Sequence, residues 1–280
     1  MRILVVGATG VLGRNVLPRL LERGYRVRAV ARQVMQVETL QRLGVEARLG
    51  DILDASSLLS AAEGCDAALH LATAIPKPGQ PADWSLNDRI RREGTRNLLA
   101  AAAQAGARRY VQQSITFMYG DHGQQIVDES TPLHPAPRIQ SAADMEALVQ
   151  ASSLDWCILR GGAFYGPGTG KEAGWRIDAL AGDLLLPGDG AALVSLIHVV
   201  DMARAVALAV ERARAGSIYH VVDDEPVSYR ALYSYIAAQP GAAPPGAGGP
   251  AVASLGCTNA RIKADLGWEP AYPTYRSGLA

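Results

Sequence analysis

Ile3-Leu4-Val5-Val6-Gly7-Ala8-Thr9-Gly10-Val11-Leu12-Gly13 decides the fold of this chain. An apolar strand runs directly into a GxxGxxG turn, and an amphipathic segment follows from Val11 to about Arg23. A turn this tight needs residues without side chains, so that backbone N–H groups approach a pyrophosphate. The helix after it points its positive end at the same group. A second strand beginning near Tyr25 completes the strand–turn–helix–strand context in which the glycine motif signals a dinucleotide site rather than a bare turn.

The 280 residues are enough for a full core and fit one domain with an appended lobe. Lys+Arg and Asp+Glu are equal at 27 each and no basic run stands out, so nucleic acid is not an expected partner. A strand starting within two residues of Met1 leaves no room for a signal peptide, and no apolar run reaches membrane-spanning length. Cys65, Cys157 and Cys257 are far apart, without metal-ligand or redox spacing. These features imply a reduced, cytoplasmic setting with no metal and no membrane. Only Lys77, Lys171 and Lys263 are lysine, so a mechanism that needs one has few places to find it.

Strand-like and helix-like segments alternate, which predicts an α/β, Rossmann-type doubly wound parallel sheet. Strands are expected at 2–7, 26–31, 45–50, 66–71, 109–114, 155–160 and 217–222. Helices are expected at 11–23, 36–43, 56–63, 87–105, 141–152 and 200–213, with Asn87 and Asp201 as N-terminal caps and Gly106 as a stop. Segment 165–195 breaks the alternation. The dinucleotide-binding domain is therefore placed at 1–164, with 196–222 returning to it, and a small C-terminal substrate lobe at 165–195 and 223–280. The Pro-, Gly- and Ala-rich run from Pro240 to Pro250 reads as a mobile surface loop, and Thr258–Leu266 as a last helix.

At the end of the second strand, where an acid would hold the adenosine ribose, the chain has Ala31-Arg32. An arginine there suits the 2′-phosphate of NADP(H), which favours NADP(H) over NAD(H); a solvated loop arginine is the plainer alternative. Asp51, after the third strand, is placed to meet the adenine or to make a turn. His70 on an apolar strand reads as a core residue. The cofactor-binding set is Gly7, Thr9, Gly10, Val11, Leu12, Gly13, Arg32, Asp51, Ile52, Leu71, Ala72, Thr73, Ser114 and Gly162.

With these residues in view the chain resembles an extended or atypical short-chain dehydrogenase/reductase of the NAD-dependent epimerase/dehydratase family. The resemblance covers nearly the whole length: the glycine motif, Gly50-Asp51, His70-Leu71-Ala72, Gly94-Thr95-Arg96-Asn97-Leu98-Leu99, Tyr119-Gly120, Ile158-Leu159-Arg160 through Tyr165-Gly166-Pro167-Gly168, His198 to Ala203, and Leu266-Gly267-Trp268-Glu269-Pro270. It implies a tyrosine acid/base, a lysine four residues later that lowers its pKa, and a Ser or Thr ending the fifth strand. None of the ten tyrosines is followed four residues later by lysine. Anchored on Ser141 and Glu146, the family pattern puts Arg138 at the tyrosine position, Ala142 at the lysine position and Ile115 at the Ser/Thr position. A phenol with a pKa near 10 is a poor base without a cation beside it, so the usual mechanism is not available.

Tyr165, Ser114 and Thr116 remain as candidate catalytic residues, each also explained as structure, as is the loop residue His122. Asp128-Glu129 corresponds to a surface segment in the family. The expectation is an NADP(H)-binding oxidoreductase or epimerase-like enzyme acting on a small carbonyl, hydroxyl or sugar-like molecule without the Tyr–Lys pair. The alternative is a non-catalytic NAD(P)-binding sensor or partner-binding protein. The retained substrate lobe favours the enzyme. Family members often pair the helices corresponding to 87–105 and 141–152, which makes a homodimer an expectation, although Met145, Leu148 and Val149 suit the chain's own core equally. Lys171, Arg176 and Arg204 are the cations near the lobe, too few for a convincing diphosphate clamp.

Overall fold

The structure is a computed structural model that describes residues 1–76 and 83–279; Lys77 lies outside the described residues. Its centre is a seven-stranded sheet built from β1 (Arg2–Val6), β2 (Arg26–Ala31), β3 (Glu46–Leu49), β4 (Ala67–His70), β5 (Arg109–Ile115), and the strands Asp155–Gly161 and Ser217–Val221. From one edge the order is Ser217–Val221, Asp155–Gly161, β5, β4, β1, β2, β3. The pairs β1–β2, β1–β4, β2–β3 and β4–β5 are parallel, with Arg2 opposite Arg26 and Ile3 opposite Ala67. Residues Ile3–Val6 are buried on both faces, as helix-covered parallel strands require. The order reverses between β1 and β4, which opens the switch-point crevice where doubly wound sheets bind ligands.

The intervening helices are α1 (Val11–Glu22), α2 (Val34–Arg42), α3 (Ala55–Ala62), α4 (Ser85–Arg89), α5 (Thr95–Gln104) and α6 (Gln140–Gln150). Every expected strand and helix of the sheet-forming part is present. Asp54 caps α3, its carboxylate accepting from the N–H groups of Ser56 and Ser57. Gly106, at φ +74°, ends α5 in the left-handed conformation that favours glycine. Between α4 and α5, residues Ile90–Gly94 form a π-helical turn, so the expected single helix carries an extra residue in its middle.

Three local expectations are corrected. Asn87 is not a cap: Trp84 holds that place, and Asn87 is buried inside α4 with Oδ1 accepting from Ala74 N–H at 3.0 Å. Asp201 sits in the first turn of the helix Val199–Arg212, but its carboxylate accepts from the N–H groups of Ala271 and Tyr272, each at 2.8 Å, and so ties down the C-terminal segment. The Pro240–Pro250 run contains the strand Gly246–Gly249, paired in parallel with Leu185–Pro187. Its glycines allow that approach, since a Cβ on Gly249 would stand 2.7 Å from Leu186 O.

The chain divides into two compact units. The first comprises Met1–Ser114, Ala136–Leu159 and Ala203–Ile218, around a core that includes Leu4, Leu58, Leu98, Tyr110 and Ile158. Met145 and Val149 are buried within the chain itself. The second unit comprises Ile115–Pro135, Arg160–Met202 and Tyr219–Ala280, of which Ala280 is not described. The expected domain boundaries instead assigned 115–135, 160–164, 196–202 and 219–222 to the sheet-forming part. The second unit has two apolar clusters, one around Tyr165, Leu196, Leu232 and Tyr275 and one around Tyr119, Val127, Val222 and Leu255.

Candidate active site

Gly7, at φ +92°, turns the chain out of β1, and a Cβ there would lie 2.5 Å from Ala72 N and Leu71 C. Gly13 faces Gly7 O and Ala8 so closely that a side chain would enter the backbone of the turn. Gly10 N–H donates to Gly7 O at 3.0 Å, and Gly10 leads α1 without a side-chain cap. No acidic residue occupies the first turn of α1. The leading N–H groups from Val11 to Gly13 therefore stand uncapped at the positive end of the helix, in a cradle that a Cβ would fill. Thr9 and Val11 are half-buried beside it, and Leu12 is core.

The first unit brings most of the expected cofactor residues to the C-terminal ends of its strands. Arg32 follows β2 directly; its side chain is exposed and has no hydrogen bond or ion pair among the described residues. Asp51 Oδ1 accepts from Leu53 N–H at 2.9 Å, the turn role open to it from sequence. Ile52 is buried, and its carbonyl accepts from Asn97 Nδ2 at 3.1 Å. Leu71 continues the line of β4, its N–H donating to Val6 O at 2.8 Å, followed by half-buried Ala72 and exposed Thr73. Gly162 lies in the second unit, where a Cβ would meet Ser195 O at 2.5 Å.

At the end of β5, Ser114 Oγ donates to Glu146 Oε1 on α6 at 2.6 Å, with both residues buried. Its hydrogen is spent there, though its lone pairs remain able to accept. Thr116 Oγ1 donates to Gly161 O at 3.4 Å. Arg138 is exposed in a short 3₁₀ turn, whereas Ala142 is fully buried on α6. His122 Nε2 lies 3.2 Å from Tyr119 O. Tyr165 is buried, and its hydroxyl donates to Asp223 Oδ2 at 2.9 Å with Thr274 O as a second acceptor at 3.3 Å. Burial and the Asp223 carboxylate push the Tyr165 phenol far up, and burial pushes Asp223 up to about 7.

A buried relay in the second unit escapes sequence reasoning. Arg160 Nη1 donates to the Tyr119 hydroxyl at 2.5 Å, and that hydroxyl lies 2.6 Å from His220 Nε2. His220 Nδ1 faces Thr258 O at 3.1 Å, a carbonyl that can only accept. The proton therefore sits on Nδ1 and Tyr119 donates to Nε2. Burial, reinforced by Arg160, lowers His220 to about 4, so the imidazole is neutral. Glu129 is not a surface residue: half-buried, it accepts from His220 N–H at 2.7 Å. Tyr119-Gly120 and Arg160 stood inside sequence motifs, but nothing local tied them to His220, 101 residues on. Among the described residues no cluster of metal-ligating side chains occurs, and no helix is long and apolar enough to cross a membrane.

The model of the NAD dependent epimerase/dehydratase family matches residues 3–222, and the chain belongs to that family. It is similar over its whole length to a 3-diazoavenalumate denitrifying reductase from a Streptomyces species, 36% identical and covering 99% of that protein. A ketoreductase of a farnesylated dihydroquinoline oxide from Stigmatella aurantiaca is 29% identical over 84% of this chain and 72% of its own. The solved dTDP-glucose 4,6-dehydratase from Streptomyces venezuelae, with NAD bound, superimposes with a TM-score of 0.86 at 27% identity, covering all of this chain and 95% of that one. The chain is thus an NAD(P)-dependent, oxidoreductase-type enzyme. The uncapped α1 N-terminus and the Cβ-free cradle fit the nucleotide's pyrophosphate.

Proposed function

We propose that this enzyme is an NADP(H)-dependent reductase whose acceptor needs a hydride but no proton from the protein: an aromatic diazo acid that loses its nitrogen as N2. The observation that carries this reading is the missing acid. No tyrosine precedes a lysine by four residues, Ala142 is buried where the lysine is expected, and Tyr165 gives its proton to Asp223. Reducing a carbonyl requires both a hydride and a proton, and in this family the tyrosine supplies the second. An aryl diazonium carbon requires only the first. The C–H bond forms, the C–N bond breaks with its electron pair leaving on nitrogen, and charge balances without a proton.

The reduced nicotinamide supplies the hydride when bound. The protein's share is to cradle the pyrophosphate on Gly7–Gly13, to hold the 2′-phosphate through Arg32, and to position the acceptor. The full-length relative that removes nitrogen from a diazo compound supports the substrate class, and unpartnered Arg32 supports NADP(H).

The test is to incubate the enzyme with a diazotised aminohydroxybenzoate and NADPH carrying deuterium at C4, against an enzyme-free control. Expected are N2 release and deuterium on the carbon that lost nitrogen, at a rate well above the control. In Arg32→Gln the NADPH KM should rise by tens of fold with the NADH KM unchanged, the loss of a charged hydrogen-bond partner. No enzyme-dependent N2, alongside turnover of a carbonyl panel, would refute the reading in favour of ketone reduction.

A further inference from the structure

The helical segment that passes through the π turn buries an arginine whose donors the fold barely uses. Arg91 is 8% exposed, and its only hydrogen bond among the described residues runs from Nη1 to Ser141 Oγ at 3.2 Å. Ser141 Oγ gives its own hydrogen to Asp88 Oδ1 at 2.6 Å, so the serine accepts from the arginine and donates to the aspartate. A guanidinium has five N–H donors, and here one is spent.

The neighbours repeat the pattern. Four residues before Arg91, Asn87 is fully buried, with Nδ2 lacking a partner; four residues after it, the buried Thr95 hydroxyl lacks one too. Positions four apart share one side of a helix. His70, 1% exposed at the end of β4, has both ring nitrogens without a partner, and the Arg91 charge bears on it. All belong to the first unit, together with Ser141 and Ala142.

Native proteins rarely leave buried donors unpaired, and these are gathered around one cation. A buried water would satisfy Asn87 or Thr95 but would leave the guanidinium charge unanswered. The nitrogens of Arg91 are not among the buried, unpartnered atoms, so its unspent donors reach solvent, unlike Asn87 Nδ2. The group that answers a solvent-reachable guanidinium backed by a neutral amide donor is a carboxylate, taken at two points. Ser141 also stands next to Ala142, where the family pattern expects lysine. The cation missing from α6 is present in space, reaching α6 from the π turn.

We propose that Arg91, assisted by Asn87, binds the carboxylate of the substrate and selects acids over neutral analogues. The proposal rests on the aromatic-acid reading above for its substrate but is testable without turnover. Full-length enzyme loaded with NADP+ or NAD+, whichever it retains, is titrated with 4-hydroxycinnamate and with its methyl ester. The acid should bind at least 30-fold more tightly. Arg91→Gln should bring the acid down to the ester's affinity, and Arg91→Lys should recover part of the difference. Arg89→Gln, which breaks only the exposed pair with Glu93, should change nothing. Cofactor affinity equal to the parent's marks each variant as folded.

With a diazo acid as substrate, Arg91→Gln should raise KM at least tenfold and change kcat only a few-fold. Equal binding of acid and ester, failure of the parent to bind the acid, or unchanged acid binding in Arg91→Gln would overturn the proposal. If Arg91→Gln fails to fold, the acid–ester comparison on the parent and Arg91→Lys still decides. Acid selectivity that depends on Arg91 without N2 release would sink only the diazo reading.

Discussion

Replacing Asp223 with asparagine should make the enzyme more stable at pH 8 and leave it unchanged near pH 4. Asp223 is buried with Tyr165 and the His198 N–H against its two oxygens, and burial raises it from 3.8 to about 7. The folded protein therefore keeps a proton that the unfolded chain has already released. Between about pH 4 and pH 7 the folded state binds more protons, so this group's contribution to stability falls as pH rises through that window. A rise of about three on the pH scale, at about 1.4 kcal/mol each, amounts to about 4 kcal/mol at pH 8, an upper figure for a carboxylate in contact with other polar groups.

Asparagine imitates the neutral acid. Its Nδ2–H can donate to the Tyr165 oxygen while the tyrosine turns its own hydrogen to Thr274 O, already 3.3 Å away. The assay is urea unfolding of both proteins from pH 4 to 8, read as the difference between them. His70 and His220, both lowered to about 4 by burial, act in the opposite sense. The unfolded chain takes up their protons below about 6.5, so their stabilisation is lost as pH falls towards 4. Both proteins carry them, and they cancel in the difference. A difference that does not vary with pH, or an asparagine variant that is weaker at pH 8, would refute the reasoning.

Tyr165→Phe should keep kcat within about threefold and lose about 1 kcal/mol of stability, the ordinary worth of its hydrogen bond; a hundredfold fall in kcat would instead make it the proton donor. Gly7→Ala should cost about 2 kcal/mol or more through overpacking against Leu71–Ala72 and a left-handed backbone, and should abolish cofactor binding. Thermal melting with and without NADPH checks it, and a variant that melts and binds like the parent would be the contrary result.

The sheet and its helices were legible because their signals are local. Ile3–Val6 reads as a strand and Gly7–Gly13 as a turn within a dozen residues, and Ala31-Arg32 gains meaning from that frame alone. Asn87 misled because a polar residue at a helix start looks the same whether it caps or is buried four residues in. The glycines of 246–249 resembled disorder, yet a chain without side chains is also what a close backbone pairing needs. Arg91 was hidden among Arg89, Arg92 and Arg96, which read as one solvated basic face. Only the four-residue spacing with Asn87 and Thr95 hinted that one of these arginines faced inward. The Arg160–Tyr119–His220 relay joins three separated segments, and no window of sequence contains it.

The π turn at Ile90–Gly94 has a consequence for how this helix can change. A π turn is an α-helix holding one residue too many, and it would regularise if that residue were deleted. Each residue advances an α-helix by about 100°, so the deletion would swing the whole of Thr95–Gln104 by that angle. Leu98, Ala101 and Ala102 would leave the core and the Arg96 side would enter it. Substitutions can accumulate along this helix one at a time, whereas a change in its length must wait for the entire buried stripe after the turn to be rewritten at once. The irregular turn is held in place by the regular helix that follows it.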